Sequence, residues 1–201
     1  MKKWIKEDRD KDKPFVAMIQ FKAPHRNWSG ALRHLELFKG VTMPDPDSRF
    51  DDYADRSKVL AEHAMGIDKH MYWGHDMKFN GPNLFPDHFS RGIVNRQYQR
   101  MNESQKKAWD AVYEPENQKF IADMKAGKLS KKDIVRWKYQ RYIKDYLKSI
   151  ASVDEGVGRV LKHLDESGLA KNTIVIYSSD QGFYLGEHGW YDKRWMFEES
   201  F

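Results

Sequence analysis

Asp180-Gln181-Gly182 sets two hard oxygen donors beside a residue that lets the backbone turn sharply. An adjacent carboxylate and carboxamide suit a hard divalent cation such as Ca²⁺ or Mg²⁺. The same three residues also fit a loop in which Asp180 accepts local backbone hydrogen bonds, and both readings stand on these residues alone. His25 follows Lys22-Ala23-Pro24, where Pro24 disfavours helix at Ala23 and stiffens the approach to the imidazole. A lone histidine there is more commonly a surface group than a proton donor or anion binder. Lys193 lies in Asp192-Lys193-Arg194-Trp195-Met196, where Trp190, Tyr191 and Trp195 could wall its ammonium from water. Asp51-Asp52 could be an acid/base pair, but a place near a helix N-terminus is the favoured reading. His70, His75 and His88 are spaced irregularly among Met, Trp, Tyr and Phe, without an H-E-x-x-H frame, which argues against zinc. The stretch from Gly66 to Asn95 reads as an irregular, aromatic-rich excursion.

Two apolar runs would carry these groups. Thr173-Ile-Val-Ile-Tyr-Ser178 and Phe15-Val-Ala-Met-Ile-Gln-Phe21 are bounded by turn signals and read as strands buried on both faces, as in a parallel sheet. Asp180 and His25 then lie just past strand carboxyl ends, where open α/β sheets bind ligands. Leu32, Leu35 and Phe38 predict an amphipathic helix over Gly30 to Val41, and Val59, Leu60 and His63 another from Ser57. Asn102-Glu-Ser opens a helix through Tyr113, Pro115 restarts a second, and Gly127 ends it. Ser130-Lys-Lys-Asp133 is a capping-box-like start to the longest pattern, Lys131 to Glu166. Its stripe (Val135, Tyr139, Tyr142, Tyr146, Ile150, Val153, Val157, Val160, Leu164) faces the core. Unbroken, it would run roughly 54 Å, so a bend is expected near Ser152 or Gly156. The fold class is α/β.

The run Ser179 to Gly189 (SDQGFYLGEHG), followed by Asp192-Lys193-Arg194-Trp195-Met196 and Glu198-Glu199-Ser200, closely resembles the metal-site segment of the formylglycine-dependent sulfatases. Phe21-Lys-Ala-Pro-His25-Arg-Asn-Trp28 is similar to that family's strand-then-histidine element. The Pro44-x-Pro46 loop and the helix Tyr146 to Leu161 continue the likeness. The resemblance implies part of an alkaline-phosphatase-like mixed or parallel sheet flanked by helices. It implies that Asp180 and Gln181 bind Ca²⁺, with Asp180 helping to deprotonate the formylglycine hydrate. Lys193 would contact the sulfate, and His25 would reach the sulfate ester or protonate the leaving alcohol. His188 is a further substrate-side candidate, and neighbouring Glu187 has no assigned role. The family's nucleophile comes from a Cys or Ser in Cys/Ser-x-Pro-x-Arg. This chain has no cysteine and no serine in that frame, nor a match to the early Asp-Asp ligands or the Lys-x-His element. Residues 1–201 thus resemble the central part of a sulfatase catalytic domain, and the chain alone is expected to be inactive. Gln181 replaces the histidine of related zinc phosphoesterases, which favours Ca²⁺ and sulfate. A phosphate- or phosphonate-ester metallohydrolase and a non-catalytic sulfated-glycan binder are the alternatives.

The whole chain of 201 residues has 40% hydrophobic residues, net charge +5 and no cysteine. The absence of thiols excludes disulfides, thiolate metal sites and Cys nucleophiles. A mean hydropathy of -0.85, with no long apolar run, argues against a membrane helix. Arg91 to Ile150 holds fifteen Lys/Arg against seven Asp/Glu, which reads as a solvated helical face. The expected partner is a sulfated small molecule or glycan, with no nucleic acid, membrane or protein partner inferred. No apolar segment after Met1-Lys-Lys reads as a secretory signal. The resemblance implies full-length relatives that are exported or lysosomal.

Overall fold

A computed structural model describes residues 2–80 and 96–201. His88 lies outside them. Short helix α1 (Arg96–Gln99) precedes α2 (Glu103–Lys125) and α3 (Lys131–Glu166), and a two-residue hairpin pairs β1 (Tyr184–Leu185) with β2 (Tyr191–Asp192) antiparallel. Tyr184 faces Asp192 and Leu185 faces Tyr191 in the register.

Both long helices start on capping boxes. Asn102 and Gln105 exchange side-chain and backbone bonds at α2, and Ser130 and Asp133 do the same at α3. Pro115 does not divide α2 as the sequence suggests. The helix runs through it and aligns Trp109, Tyr113, Asn117 and Phe120 as buried residues on one side. Helix α3 is likewise continuous through Ser152 and Gly156. A Cβ at Gly156 would lie 2.8 Å from the Phe21 ring, so this glycine serves close approach rather than a break.

Helix α3 is the spine, and successive residues along it hold different loops. Lys138 Nζ donates to the Asp68 carbonyl at 2.7 Å and the Tyr139 hydroxyl to that of Pro44 at 2.8 Å. Gln140 bonds both backbone polar groups of Met43. Arg141 donates to the Met77 carbonyl, and Tyr142 to that of Tyr184 in the hairpin at 2.6 Å. Further along, the Ala31 N–H donates to Ser152 Oγ at 2.8 Å, and Gly30 approaches so closely that a Cβ would lie 2.7 Å from Lys148. The main core gathers Trp28, Ile67, Met71, Trp73, Met77, Phe79, Phe120, Tyr139, Tyr142, Ile143 and Tyr191. Trp28 is central, edge-on to Tyr142 at 4.5 Å and to Phe183 and Tyr191. The α3 stripe is buried at Tyr139, Tyr142, Val153 and Leu164, whereas Ile150 is exposed and Val157 and Val160 are half-buried.

The two runs expected to be buried strands are extended but unpaired. Val16 is 88% exposed and Met18 78%; Ile174 is 90% exposed and Ile176 84%. Among the described residues, the only strand pairing is the hairpin and a bridge between Gly66 and Trp190. A strand needs a neighbouring strand for its N–H and C=O groups, and these runs have none here. Two expected helices are also shorter than expected. Only single 3₁₀ turns form, at Leu32–His34 and Lys58–Leu60.

Candidate active site

His25 sits in a turn after the first extended run, its N–H donating to the Lys22 carbonyl at 3.0 Å. The ring is exposed, and its Nδ1 lies 2.7 Å from the Arg26 carbonyl oxygen. A carbonyl only accepts, so Nδ1 carries a proton and Nε2 is the free ring nitrogen. Arg26 turns inward, where its guanidinium meets both carboxylate oxygens of fully buried Asp76. Burial disfavours the cation, but the Asp76 hydrogen bond and charge outweigh it and raise the Arg26 pKa.

Asp180 and Gln181 are exposed beyond the second extended run. The Asp180 carboxylate takes part in no hydrogen bond among the described residues. Gln181 Nε2 donates to the Lys193 carbonyl at 2.8 Å, so the nitrogen end of the amide is occupied and Oε1 is left as an acceptor. That bond closes the open end of the hairpin, joining the Gln181 side chain to the Lys193 backbone. Gly182 permits a close crossing there, since a Cβ would lie 2.4 Å from the Ser200 backbone. The Lys193 ammonium is 5.7 Å from the Phe183 ring centre. The aromatic wall expected from Trp190, Tyr191 and Trp195 is arranged differently. Trp190 packs with Leu60, Met65 and Tyr184, with Trp195 against that cluster, and Tyr191 joins the Trp28 core.

His188 is at the opposite end of the hairpin, with φ 54°. Its Nδ1 lies 2.7 Å from Asp51 Oδ2 and its Nε2 3.2 Å from Glu199 Oε1. Its N–H donates to Ser48 Oγ, and its carbonyl accepts from the Tyr53 hydroxyl at 2.5 Å. The ring thus fastens the hairpin tip to the 48–56 loop. Burial opposes ionisation of Asp51, yet the Tyr53 N–H, His188 and Arg56 hold its carboxyl below the usual value. Asp52 accepts from the Ala54 N–H, so the pair shapes a loop between two 3₁₀ turns rather than starting a long helix. A cavity of about 280 Å³ opens beside His188, lined also by His63, His70, Asp51 and Asp68. His63 and His70 each accept a backbone N–H at Nδ1. No group of three or more His, Asp or Glu side chains among the described residues could hold a metal ion.

A sequence model of the Sulfatase family matches residues 1–199. The chain belongs to the sulfatase family. It is 43% identical over 196 residues to an N-acetylglucosamine-6-O-sulfatase of Bacteroides thetaiotaomicron, covering 96% of this chain and 34% of that one. Iduronate 2-sulfatase of mouse matches at 44% over 61 residues, 30% of this chain and 11% of the relative. A solved structure described as BT4656 in complex with its substrate D-glucosamine-2-N,6-O-disulfate superposes with a TM-score of 0.85 at 40% identity. That match covers 99% of this chain and 39% of the other. The chain therefore spans about a third of the length of the sulfatases it matches along its whole length. The described residues form a helix-rich part of an α/β architecture.

The sequence reading had no role for Arg26, Asp76 or Lys78. Asp76 and Lys78 sit within Met-Tyr-Trp-Gly-His-Asp-Met-Lys-Phe, residues 71–79. Charges inside so aromatic a run signal buried, paired side chains.

Proposed function

We propose that this chain works as part of a sulfuric ester hydrolase acting on a sulfated sugar. The observation that carries the reading is the Gln181 Nε2 to Lys193 carbonyl bond, which ties the backbone of Lys193 to the side chain that follows Asp180. The free Asp180 carboxylate and the outward Gln181 Oε1 fit a hard cation in kind. Two side chains supply only part of the roughly 6–8 oxygens that Ca²⁺ takes, so further ligands come from outside these residues. Bound there, Ca²⁺ would supply positive charge to the sulfuryl oxygens.

The chain's own groups divide the remaining work. Lys193, its ammonium above Phe183, neutralises charge on the sulfuryl or bridging oxygen. His25 keeps Nε2 free of protein partners among the described residues and, as an imidazolium with a proton on each nitrogen, donates the Nε2 hydrogen bond to the sulfate or passes that proton to the leaving alcohol. The nucleophile is not among these residues, since the chain has no cysteine and no serine in the family's frame. Alone, the chain is expected not to turn over. The 43% likeness to an N-acetylglucosamine-6-O-sulfatase supports a sulfated amino sugar as the substrate class.

Steady-state kinetics on the assembled enzyme test this, with an aryl sulfate and glucosamine 6-sulfate as substrates and an aryl phosphate as control. Lys193→Ala is expected to lower kcat and kcat/KM together by on the order of 10²–10³. Lys193→Arg should recover only part, because a planar fork does not replace a compact ammonium. A Lys193→Ala enzyme within about threefold of wild type on both parameters returns the residue to the surface. Preferential turnover of the aryl phosphate would move the assignment to a phosphoesterase.

A further inference from the structure

We propose that Asp76 and Lys78 are positioning residues that fix the orientation and tautomer of His25; this rests on the reading of His25 as the sulfate-facing imidazole. The Arg26 carbonyl, to which His25 Nδ1 donates at 2.7 Å, belongs to the peptide between Arg26 and Asn27. The side chains on both sides of that peptide are gripped from one loop. Arg26 meets Asp76 through two nitrogens, and its guanidinium also lies 4.8 Å from the Tyr72 ring and 5.0 Å from the Tyr191 ring. Asn27 Oδ1 accepts from Lys78 Nζ at 2.7 Å, while Asn27 Nδ2 lies 3.3 Å from His75 Nδ1. Lys78 is in turn fixed by the His75 carbonyl at 3.0 Å, and Asn117 donates to the Lys78 carbonyl.

Asp76 and Lys78 are both 0% exposed. Burying a carboxylate and an ammonium is costly, and apolar side chains of similar volume would fill the same space at no such cost. What the charges add is direction. A two-point Arg–carboxylate fork fixes a plane as well as a distance, and the ammonium holds the neighbouring amide. Together they orient the carbonyl that keeps the His25 proton on Nδ1 and leaves Nε2 for the ligand. The clamp also reaches the other half of the site. Tyr191, under the Arg26 guanidinium, stands two residues before Lys193 and donates its hydroxyl to the His70 carbonyl at 2.9 Å.

Long-range ¹H–¹⁵N spectra of the isotope-labelled 201-residue chain read the His25 tautomer directly. Wild type is expected to show one His25 set with the proton on Nδ1. In Asp76→Asn that set is expected to broaden and pass to a majority Nε2–H form, with Asp76→Glu recovering part of the wild-type pattern. The Trp109 indole, in a separate cluster with Leu35 and Tyr113, reports that the fold is intact. Should Asp76→Asn not fold, Arg26→Lys, at a half-buried side chain, removes the fork and carries the same expectation. A wild-type His25 pattern in the folded variant overturns the proposal. His25→Ala kinetics on the assembled enzyme test the underlying reading separately. Unchanged turnover there removes the catalytic role of His25, while the tautomer result in Asp76→Asn, and in Lys78→Met for the Asn27 arm, still decides whether Asp76 and Lys78 set the ring.

Discussion

Tyr142 and Ile176 both lie in sequence patterns that assign them to an interior, yet Tyr142 is fully buried and Ile176 is 84% exposed. The first belongs to the stripe of α3, the second to an extended run that follows the helix. A helix closes its backbone hydrogen bonds within itself and asks its surroundings only for side-chain cover. A strand needs another strand beside it before its backbone is satisfied. Within these residues, loops and hairpin cover α3, whereas the runs 15–21 and 173–178 have no strand beside them and leave Val16, Met18, Ile174 and Ile176 exposed. The same hydrophobicity therefore stabilises one region and is left in solvent in the other.

Replacing Tyr142 by Ala should show the largest effect. It removes the 4.5 Å contact with Trp28 and the bond to the Tyr184 carbonyl, and should cost about 3–5 kcal/mol in urea unfolding. A loss below about 1 kcal/mol would erase the contrast between the two regions. Lys148→Met probes the charged part of the same body. Asp145, 0% exposed, accepts from the Tyr113 hydroxyl at 2.8 Å and pairs with Lys148 at 3.1 Å. Stranding it should cost about 3 kcal/mol. If the variant is as stable as wild type, Tyr113 alone satisfies the carboxylate.

Acid should weaken the body through its imidazoles. Burial, aided by neighbouring His70, lowers His63 from 6.5 to about 4, and burial lowers His70 as well. The unfolded chain takes up these protons first, so the stability from neutral His63 is complete above about pH 6.5 and lost as pH falls toward about 4. Because His63 is half-buried, the expected loss between pH 7 and pH 5 is about 1 kcal/mol. His63→Gln should flatten that part of the curve; an unchanged slope would show that His63 titrates normally. The smallest change is expected in the extended run. Ile176→Thr should alter the unfolding free energy of the chain by under about 0.5 kcal/mol while raising its solubility. A loss above about 2 kcal/mol would mean that this segment is packed in solution.

The elements most legible in the sequence satisfy themselves locally. The helix start at Asn102, the capping box at Ser130, the Gly127 end and the Tyr139 and Tyr142 stripe could be read because a helix is encoded within a few residues of itself. Pro115 misled because the burial of Trp109, Tyr113 and Phe120 on one side outweighs a local breaker. The two runs read as strands have the right pattern, but pairing is a property of residues elsewhere. The roles of Gln181 and Lys193 came only from the family likeness, and the bond from the Gln181 side chain to the Lys193 carbonyl was not legible in the sequence. The Arg26–Asp76 and Asn27–Lys78 links join positions about fifty residues apart, and no local periodicity announces them.

Because α3 fastens loops and the hairpin through each residue from Lys138 to Tyr142, and Ala31 through Ser152 ten residues on, it acts as an indexing rod whose length is itself under constraint. Removing one residue within that interval would rotate everything downstream by about 100° and draw it back by about 1.5 Å. With the deletion placed after Tyr142, the Pro44 and Tyr184 attachments would hold while Ala31 lost Ser152. Substitutions along the rod can be absorbed one contact at a time, but insertions and deletions cannot. Length variation among related sequences is therefore expected in loops such as 42–48 and not between Lys138 and Ser152.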